Sequence, residues 1–281
     1  MTDKLSQKYT VIADFLTDNK LKVNDDKTHL LVMSTWQKRR FKNTSSVRIN
    51  TPSASITPSI SERLLGAQIN HNMKWEDHIF ECMKSLNTRL AALQKIQKLA
   101  SFRTRKMIGT GIFMSKLIYL MPAWGGCQEY LVRALQVVQN KAARSITRLG
   151  RFTPTKILLK TCGWLSVKQL IVFHSLVLLK STLRMETPVY LHTRLTAGGS
   201  HPYRTRQVAI CANGFTFNVE HPMESGTLRH ESGRKLDLAR LGWCWRSVDS
   251  YNSLPVEIRL EAQLATFKTK LRAWVETNVD I

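Results

Sequence analysis

The sequence predicts an α+β protein that is predominantly α: a small β-containing unit over residues 1–72, a helical bundle over 73–187, and a mixed region over 188–281 that ends in a helix. Three observations predict it. Apolar residues recur at helical spacing from Trp75 to about Leu179. Short runs rich in Leu, Val and Ile, separated by turn-forming residues, precede that stretch. After Pro188 the periodicity stops, and it returns only at Leu264.

Taken in order, Tyr9 to Asn19 reads as a helix with Tyr9, Ile12, Phe15 and Leu16 on one stripe, and Leu21 to Lys27 as the turn out of it. His29 to Ser34, Val47 to Ile49, Ala54 to Ile56 and Arg63 to Ile69 are strand candidates, the middle two flanking Asn50-Thr51-Pro52-Ser53. From Trp75 the stripe Ile79, Met83, Leu86, Leu90, Leu93 and Leu99 predicts a long amphipathic helix. A second should run from about Thr104 to Leu120. A third, Gln128 to Thr147, repeats the stripe as Leu131, Leu135, Val138, Ala142 and Ile146. Thr153 is placed to cap a helix with Pro154 at its first position, and Ser166 to cap the next, which carries Leu170, Phe173, Val177 and Leu178. Gly198 to Pro202 reads as a turn or linker, Phe215, Phe217 and Val219 as strand-like alternation, and Leu264 to Val275 as the closing helix.

A hydrophobic fraction of 43% over 281 residues gives enough apolar surface for a sizeable core and excludes a wholly disordered chain, a collagen and a disulfide miniprotein. The net charge of +22, from 42 basic and 20 acidic residues, points to a polyanionic partner, RNA or DNA before a membrane surface. Residues 101–200 hold 15 Lys and Arg against two acids, Glu129 and Glu186, so 13 of the 22 charges lie in the most helical third. There Arg103, Arg105 and Lys106 cluster at one helix start, Lys141, Arg144 and Arg148 recur at i, i+3 and i+7, and Arg151 and Lys156 follow. Such a stripe can track a phosphate backbone.

No constellation assembles an active site. Two-metal phosphoryl transfer needs carboxylates holding cations about 4 Å apart. The adjacent acidic pairs are Asp25-Asp26, expected in a turn, and Glu76-Asp77, expected at a helix start where negative charge complements the dipole. Asp249 with Glu257-Ile258-Arg259 is the nearest approach to a nuclease pattern, with Arg in place of Lys and no earlier acidic partner. Cys162 and His174 are a nucleophile and base in principle but stand on apolar helices, and Gly109-Thr110-Gly111 lacks the Lys-Ser/Thr of a phosphate loop. The five cysteines, 33 to 49 residues apart, form no zinc or redox pair, which suggests an intracellular chain, nuclear or cytoplasmic. The longest apolar stretch, Leu170 to Leu179, is broken by His174 and Ser175 and is about half a membrane span.

The order of motifs carries a resemblance. Leu21 to Met33, with Asn24, Lys27 and Thr28, resembles the "LxLNxxKTxxM" segment of reverse transcriptases from non-LTR, LINE-type (jockey-like) retrotransposons. Leu64-Leu65-Gly66 with Met73 to Ile79 resembles their "yLGvxidxxLxWxxHI". Tyr119 to Trp124 resembles "YxxxxW", Leu135 to Arg144 "LqxxQNkAxR", Gly163-Trp164-Leu165 "WLxv", and Tyr251 to Pro255 with Phe267 to Leu271 and Trp274 the carboxyl-terminal "WNsLPxxir…FKxxLkxw". The resemblance implies that residues 1–72 are the end of a palm and 73–187 a thumb, with fingers and most of the palm outside this sequence. It implies an ancestral RNA-directed DNA polymerase activity. The family's Phe/Tyr-Ala-Asp-Asp hairpin does not occur here, so the expected chain binds RNA or DNA, holds no catalytic residue and no cofactor, and needs Mg2+ only as part of an intact polymerase. Lys27 is the one family position that carries over, near the incoming nucleotide's phosphates. A metal-dependent nuclease and a non-enzymatic assembly protein are the alternatives.

Overall fold

The computed structural model describes residues 2–24, 27–33, 47–51, 55–72, 74–192, 195–197, 217–219 and 243–280. The chain divides into two compact units, Met1–Cys82 and Met83–Ile281. It is predominantly helical with a few two-stranded ladders.

In the first unit, α1 (Thr2–Asp18) ends in a left-handed turn. The Leu21 N–H donates to the Leu16 carbonyl at 2.8 Å and the Lys20 N–H to Thr17 at 2.9 Å, with Lys20 at φ 60° where glycine is the usual residue. The expected apolar stripe holds only in part. Tyr9 and Leu16 are half-buried, but Ile12 and Phe15 are 58% and 66% exposed. The inward face is instead set by Ser6, whose hydroxyl accepts from the Asn50 N–H at 3.1 Å.

The strands are short. β1 (Leu30–Leu31) pairs in parallel with β4 (Pro58–Ser59), and β2 (Ile49–Asn50) pairs antiparallel with β3 (Ser55–Ile56). Arg63 to Ile69 is not one strand. β5 (Ser61–Leu64) and β6 (Ala67–Asn70) form a hairpin with Leu64 opposite Ala67, and Leu65 and Gly66 make its two-residue turn at φ 48° and 83°. Two positive φ values define a type I′ turn, which favours Asn-Gly. Leucine gives no turn signal in sequence, and its Cβ crowds the backbone there. Since Leu65 is 81% exposed and has little packing to lose, Leu65→Asn is expected to stabilise the unit by about 1 kcal/mol in thermal or denaturant unfolding. A drop in stability would show that the leucine side chain makes a contact worth more than the strain.

α2 (Glu76–Ile96) begins with Glu76 and Asp77 in its first turn, as expected. Its start is tied to the hairpin by side chains. Asn70 accepts from the Lys74 N–H at 2.9 Å and donates to Asp77 at 3.1 Å, and buried His78 accepts from the Gln68 N–H through Nδ1 at 3.3 Å. Trp75 meets the His78 ring edge-on at 5.9 Å.

In the second unit, Leu86, Leu90 and Leu93 of α2 are buried, whereas Leu99 lies beyond the helix end and is 88% exposed, which corrects its place on the stripe. The expected helix from Thr104 to Leu120 is interrupted. It runs as α3 (Phe102–Ile108), a π-helical segment (Gly109–Met114) and α4 (Ser115–Ile118). The reason is tertiary. A Cβ at Gly109 would lie 2.5 Å from the Ile146 side chain, Arg89 takes the Ile112 carbonyl at 3.0 Å, and Phe113 stacks on Trp164 at 6.2 Å. Leu120 then adopts φ 52°, and α5 (Met121–Trp124) closes back as the buried Trp124 donates to the Tyr119 carbonyl at 2.9 Å.

α6 (Glu129–Thr147) buries Leu131, Leu135, Val138, Ala142 and Ile146, the stripe expected from its period. α7 (Thr155–Cys162) starts one residue later than expected, with Pro154 as the capping residue and no side-chain cap bond. It ends at Gly163, φ 67°, with the Trp164 N–H on the Leu159 carbonyl at 2.9 Å. α8 (Val167–Met185) is capped by Ser166 and Gln169, each bonding the other's backbone N–H at 3.2 and 3.0 Å. α9 (Val189–His192) and the antiparallel ladder of β7 (Leu195–Ala197) with β8 (Phe217–Val219) follow. The Gly198–Pro202 run and Phe215 lie outside the described residues. α10 (Trp243–Asn252), α11 (Val256–Arg259) and α12 (Leu264–Asn278) pack on α8 around Leu176, Leu179, Tyr251, Leu254, Phe267 and Leu271.

Candidate nucleic-acid interface

Among the described residues the ion pairs of Lys and Arg are Arg133–Glu129, Lys270–Glu261 and Arg272–Glu276, and the His29 Nδ1 lies 3.4 Å from the Glu62 carboxylate. With so few carboxylates, the second unit places cations on backbone carbonyls instead. Arg246 donates to the Pro122 carbonyl at 3.0 Å, Arg272 to Gly163 at 2.6 Å, and Lys180 to Arg259 at 2.7 Å. Gly163 and Arg259 stand at helix C-terminal ends, where unpaired carbonyls and the negative end of the helix dipole favour a positive charge.

This use of cations removes Arg105 from the expected interface. It is 5% exposed, and its guanidinium donates to Ile146 at 2.8 Å, Gln97 at 3.2 Å and Ala100 at 2.5 Å. Burial and then nearby Arg148 lower its pKa, although a guanidinium stays charged. Arg148 also departs from the expected stripe. It takes the left-handed conformation, φ 61°, that ends α6, and its Nε donates to the Gln97 carbonyl at 2.9 Å. The i, i+3, i+7 spacing therefore does not describe one helical face. Lys106 and Arg144 are half-buried, and the Nε of Arg144 has no hydrogen-bond partner among the described residues.

Arg103, Lys141, Arg151 and Lys156 are exposed, and their side chains make no hydrogen bond or ion pair within the described residues. Two sets of ties place them. Asn140 donates to the Thr155 hydroxyl at 2.9 Å, tying the turn of α6 that carries Lys141 to the start of α7 that carries Lys156. The Arg105 and Arg148 contacts hold the segment that carries Arg103 against the end of α6 that leads to Arg151.

Buried amides brace the same helices. Gln139, fully buried, donates to the Leu165 carbonyl at 2.9 Å and accepts from Gln136 at 2.9 Å, while Gln136 accepts from the Val167 N–H at 2.8 Å. Gln136, Gln139, Asn140, Trp164 and Tyr251, which stand in the segments that carry the resemblance, thus cap and cross-link helices. Tyr251 does so by donating to the Arg259 carbonyl at 3.1 Å.

The other candidate residues are not brought together. Lys27 is exposed in a turn closed by its own N–H on the Asn24 carbonyl at 3.1 Å, and Asp25-Asp26 lies outside the described residues. Cys162 is buried, its thiol pushed up to about 11 by desolvation, and its Sγ faces the Ala143 carbonyl at 3.9 Å. His174, its pKa lowered by burial and then by Lys268, packs edge-on to Phe173. Asp249 and Glu257 are exposed on separate helices. Among the described residues no group of three His, Cys, Asp or Glu side chains is placed to hold a metal, and no single helix is long and apolar enough to cross a membrane. No protein-family model, curated protein or solved structure matches the chain.

Proposed function

We propose that this chain holds RNA or DNA by its phosphate backbone, as the thumb-like, carboxyl-terminal part of a non-LTR, LINE-type reverse transcriptase. The observation that carries the reading is the set of exposed cations Arg103, Lys141, Arg151 and Lys156 in a third of the sequence with two acids. A surface that is merely soluble intersperses both signs, whereas neutralising a phosphate with each cation releases a condensed counterion. The ordered segments from Leu21 to Trp274 support the polymerase origin. On this reading the chain positions a duplex and does not polymerise by itself. Metal-assisted phosphoryl transfer and its Mg2+ belong to the intact polymerase, and Lys27 is its phosphate-proximal lysine.

The test is a salt series of binding isotherms on a duplex of arbitrary sequence. For four to eight phosphate contacts, log K is expected to fall with log salt at a slope of about −4 to −7, with little difference between sequences. A flat salt response overturns the reading. Metal-dependent cutting of the duplex would assign the chain to the nucleases instead.

A further inference from the structure

Between α6 and α7 the chain makes a tight turn in which the Thr153 N–H donates to the Gly150 carbonyl at 3.1 Å, leaving Arg151 and Phe152 at its apex. Phe152 is 94% exposed, the most exposed large apolar side chain among the described residues. The ring is held out by an anchored turn. On one side Arg148 donates through its backbone to Arg144 at 2.8 Å and through its side chain to Gln97. On the other the Pro154 carbonyl accepts from Ile157 and Leu158 at 3.1 and 3.2 Å. The ring is therefore presented on a braced support, so little backbone entropy is lost when it docks.

Charge decides what docks. Between Glu81 and Glu186 the only acid is Glu129, which pairs with Arg133. The turn is flanked in sequence by Arg148, Arg151 and Lys156, and the Arg148–Gln97 bond brings the segment that carries exposed Arg103 to the same end of the unit. Leu149, 38% exposed, adjoins the turn in sequence. A planar apolar ring beside the unpaired guanidinium of Arg151 is complementary to a base attached to its phosphates. The base presents a π-face, and the guanidinium takes the charge.

We infer that the Arg148–Thr153 turn is a stacking finger, in which Phe152 lies on an unpaired or terminal base while Arg151 and Arg103 take the adjoining phosphates. The inference rests on the nucleic-acid reading above and adds to it what the tip engages: an unpaired strand or a duplex end, while the duplex wall is held by phosphate contacts alone. Stacking is tolerant of base identity, so the finger confers structure preference without sequence preference.

The experiment compares the full chain with Phe152→Ala, Phe152→Leu and Phe152→Trp. Each is titrated by fluorescence anisotropy with a mixed-sequence single strand and with a closed, hairpin-capped duplex, and each is sedimented with vesicles of phosphatidylcholine and phosphatidylserine. Phe152→Ala is expected to weaken single-strand binding about tenfold, with the salt slope unchanged because no charge is removed, and with closed-duplex binding unaltered. Phe152→Trp is expected to restore the affinity and Phe152→Leu to fail, since an aliphatic chain has bulk but no face to stack. The exposed position makes unfolding an inadequate explanation of a loss, and equal melting temperatures check that. Unchanged single-strand binding by Phe152→Ala overturns the finger, as does full activity of Phe152→Leu. Wild-type sedimentation with anionic vesicles that Phe152→Ala abolishes, with oligonucleotide binding intact, also overturns it and identifies the tip as a lipid anchor. If wild type shows no salt-dependent binding to either oligonucleotide, the nucleic-acid reading falls and the finger with it. If that binding is present and Phe152→Ala is silent, the finger alone falls.

Discussion

Arg105→Met is expected to destabilise the Met83–Ile281 unit by about 3 kcal/mol without making the salt slope of nucleic-acid binding shallower, since no exposed cation is removed. Methionine fills much of the same volume and keeps the apolar stem, so the change isolates the guanidinium. That group serves three carbonyls, at Ile146, Gln97 and Ala100. Arg148 still serves Gln97 after the substitution, so two carbonyls, Ile146 and Ala100, lose the Arg105 donor. A buried acceptor left without a donor costs about 1–3 kcal/mol, which sets the raw loss at several kcal/mol. Relief of the guanidinium's own desolvation and of its repulsion with Arg148 offsets part of this. Urea unfolding at fixed salt measures the difference. A variant as stable as wild type would mean that the Ile146 and Ala100 carbonyls are met by water and that Arg105 is not a bracing residue.

The second large effect is the opposite kind, in binding rather than stability. Replacing Arg103, Lys141, Arg151 and Lys156 together by Gln removes four exposed cations that hold nothing else in place among the described residues. Stability should stay within about 0.5 kcal/mol of wild type, since surface substitutions away from packing rarely do more. If all four meet phosphates, the salt slope should become shallower by about 3.6, at 0.9 per contact. Because affinity scales as salt concentration raised to that slope, the loss near 0.15 M salt reaches about a thousandfold. Binding isotherms across a salt series give both numbers. An unchanged slope would identify these side chains as solvated surface, and the proposed interface would have to lie elsewhere. The contrast with Arg105→Met makes the pair informative, since one variant loses fold without interface and the other interface without fold.

The helical framework was legible because its signals are local. The α6 stripe from Leu131 to Ile146, the Ser166 cap and the closing helix at Leu264 depend on residues within a few turns of one another, where spacing alone sets which side chains share a face. The Leu65-Gly66 hairpin was not legible, since leucine is a poor residue for a left-handed turn and only strand pairing imposes that conformation. The π-helical break at Gly109 was hidden for a related reason. It exists to admit Ile146 and Trp164, residues far along the chain.

The candidate interface divides the same way. Counting charge along the sequence established that residues 101–200 carry a large positive excess. Which cations face outward was decided by tertiary contacts. Arg105 finds its acceptor 41 residues away at Ile146, Arg148 finds one 51 residues away at Gln97, and Arg246 finds one 124 residues away at Pro122. A long basic side chain prefers water to the interior unless buried acceptors take its donors. The choice is made only when packing brings an otherwise unpaired carbonyl within its reach, because leaving that carbonyl unsatisfied costs more than ordering the side chain.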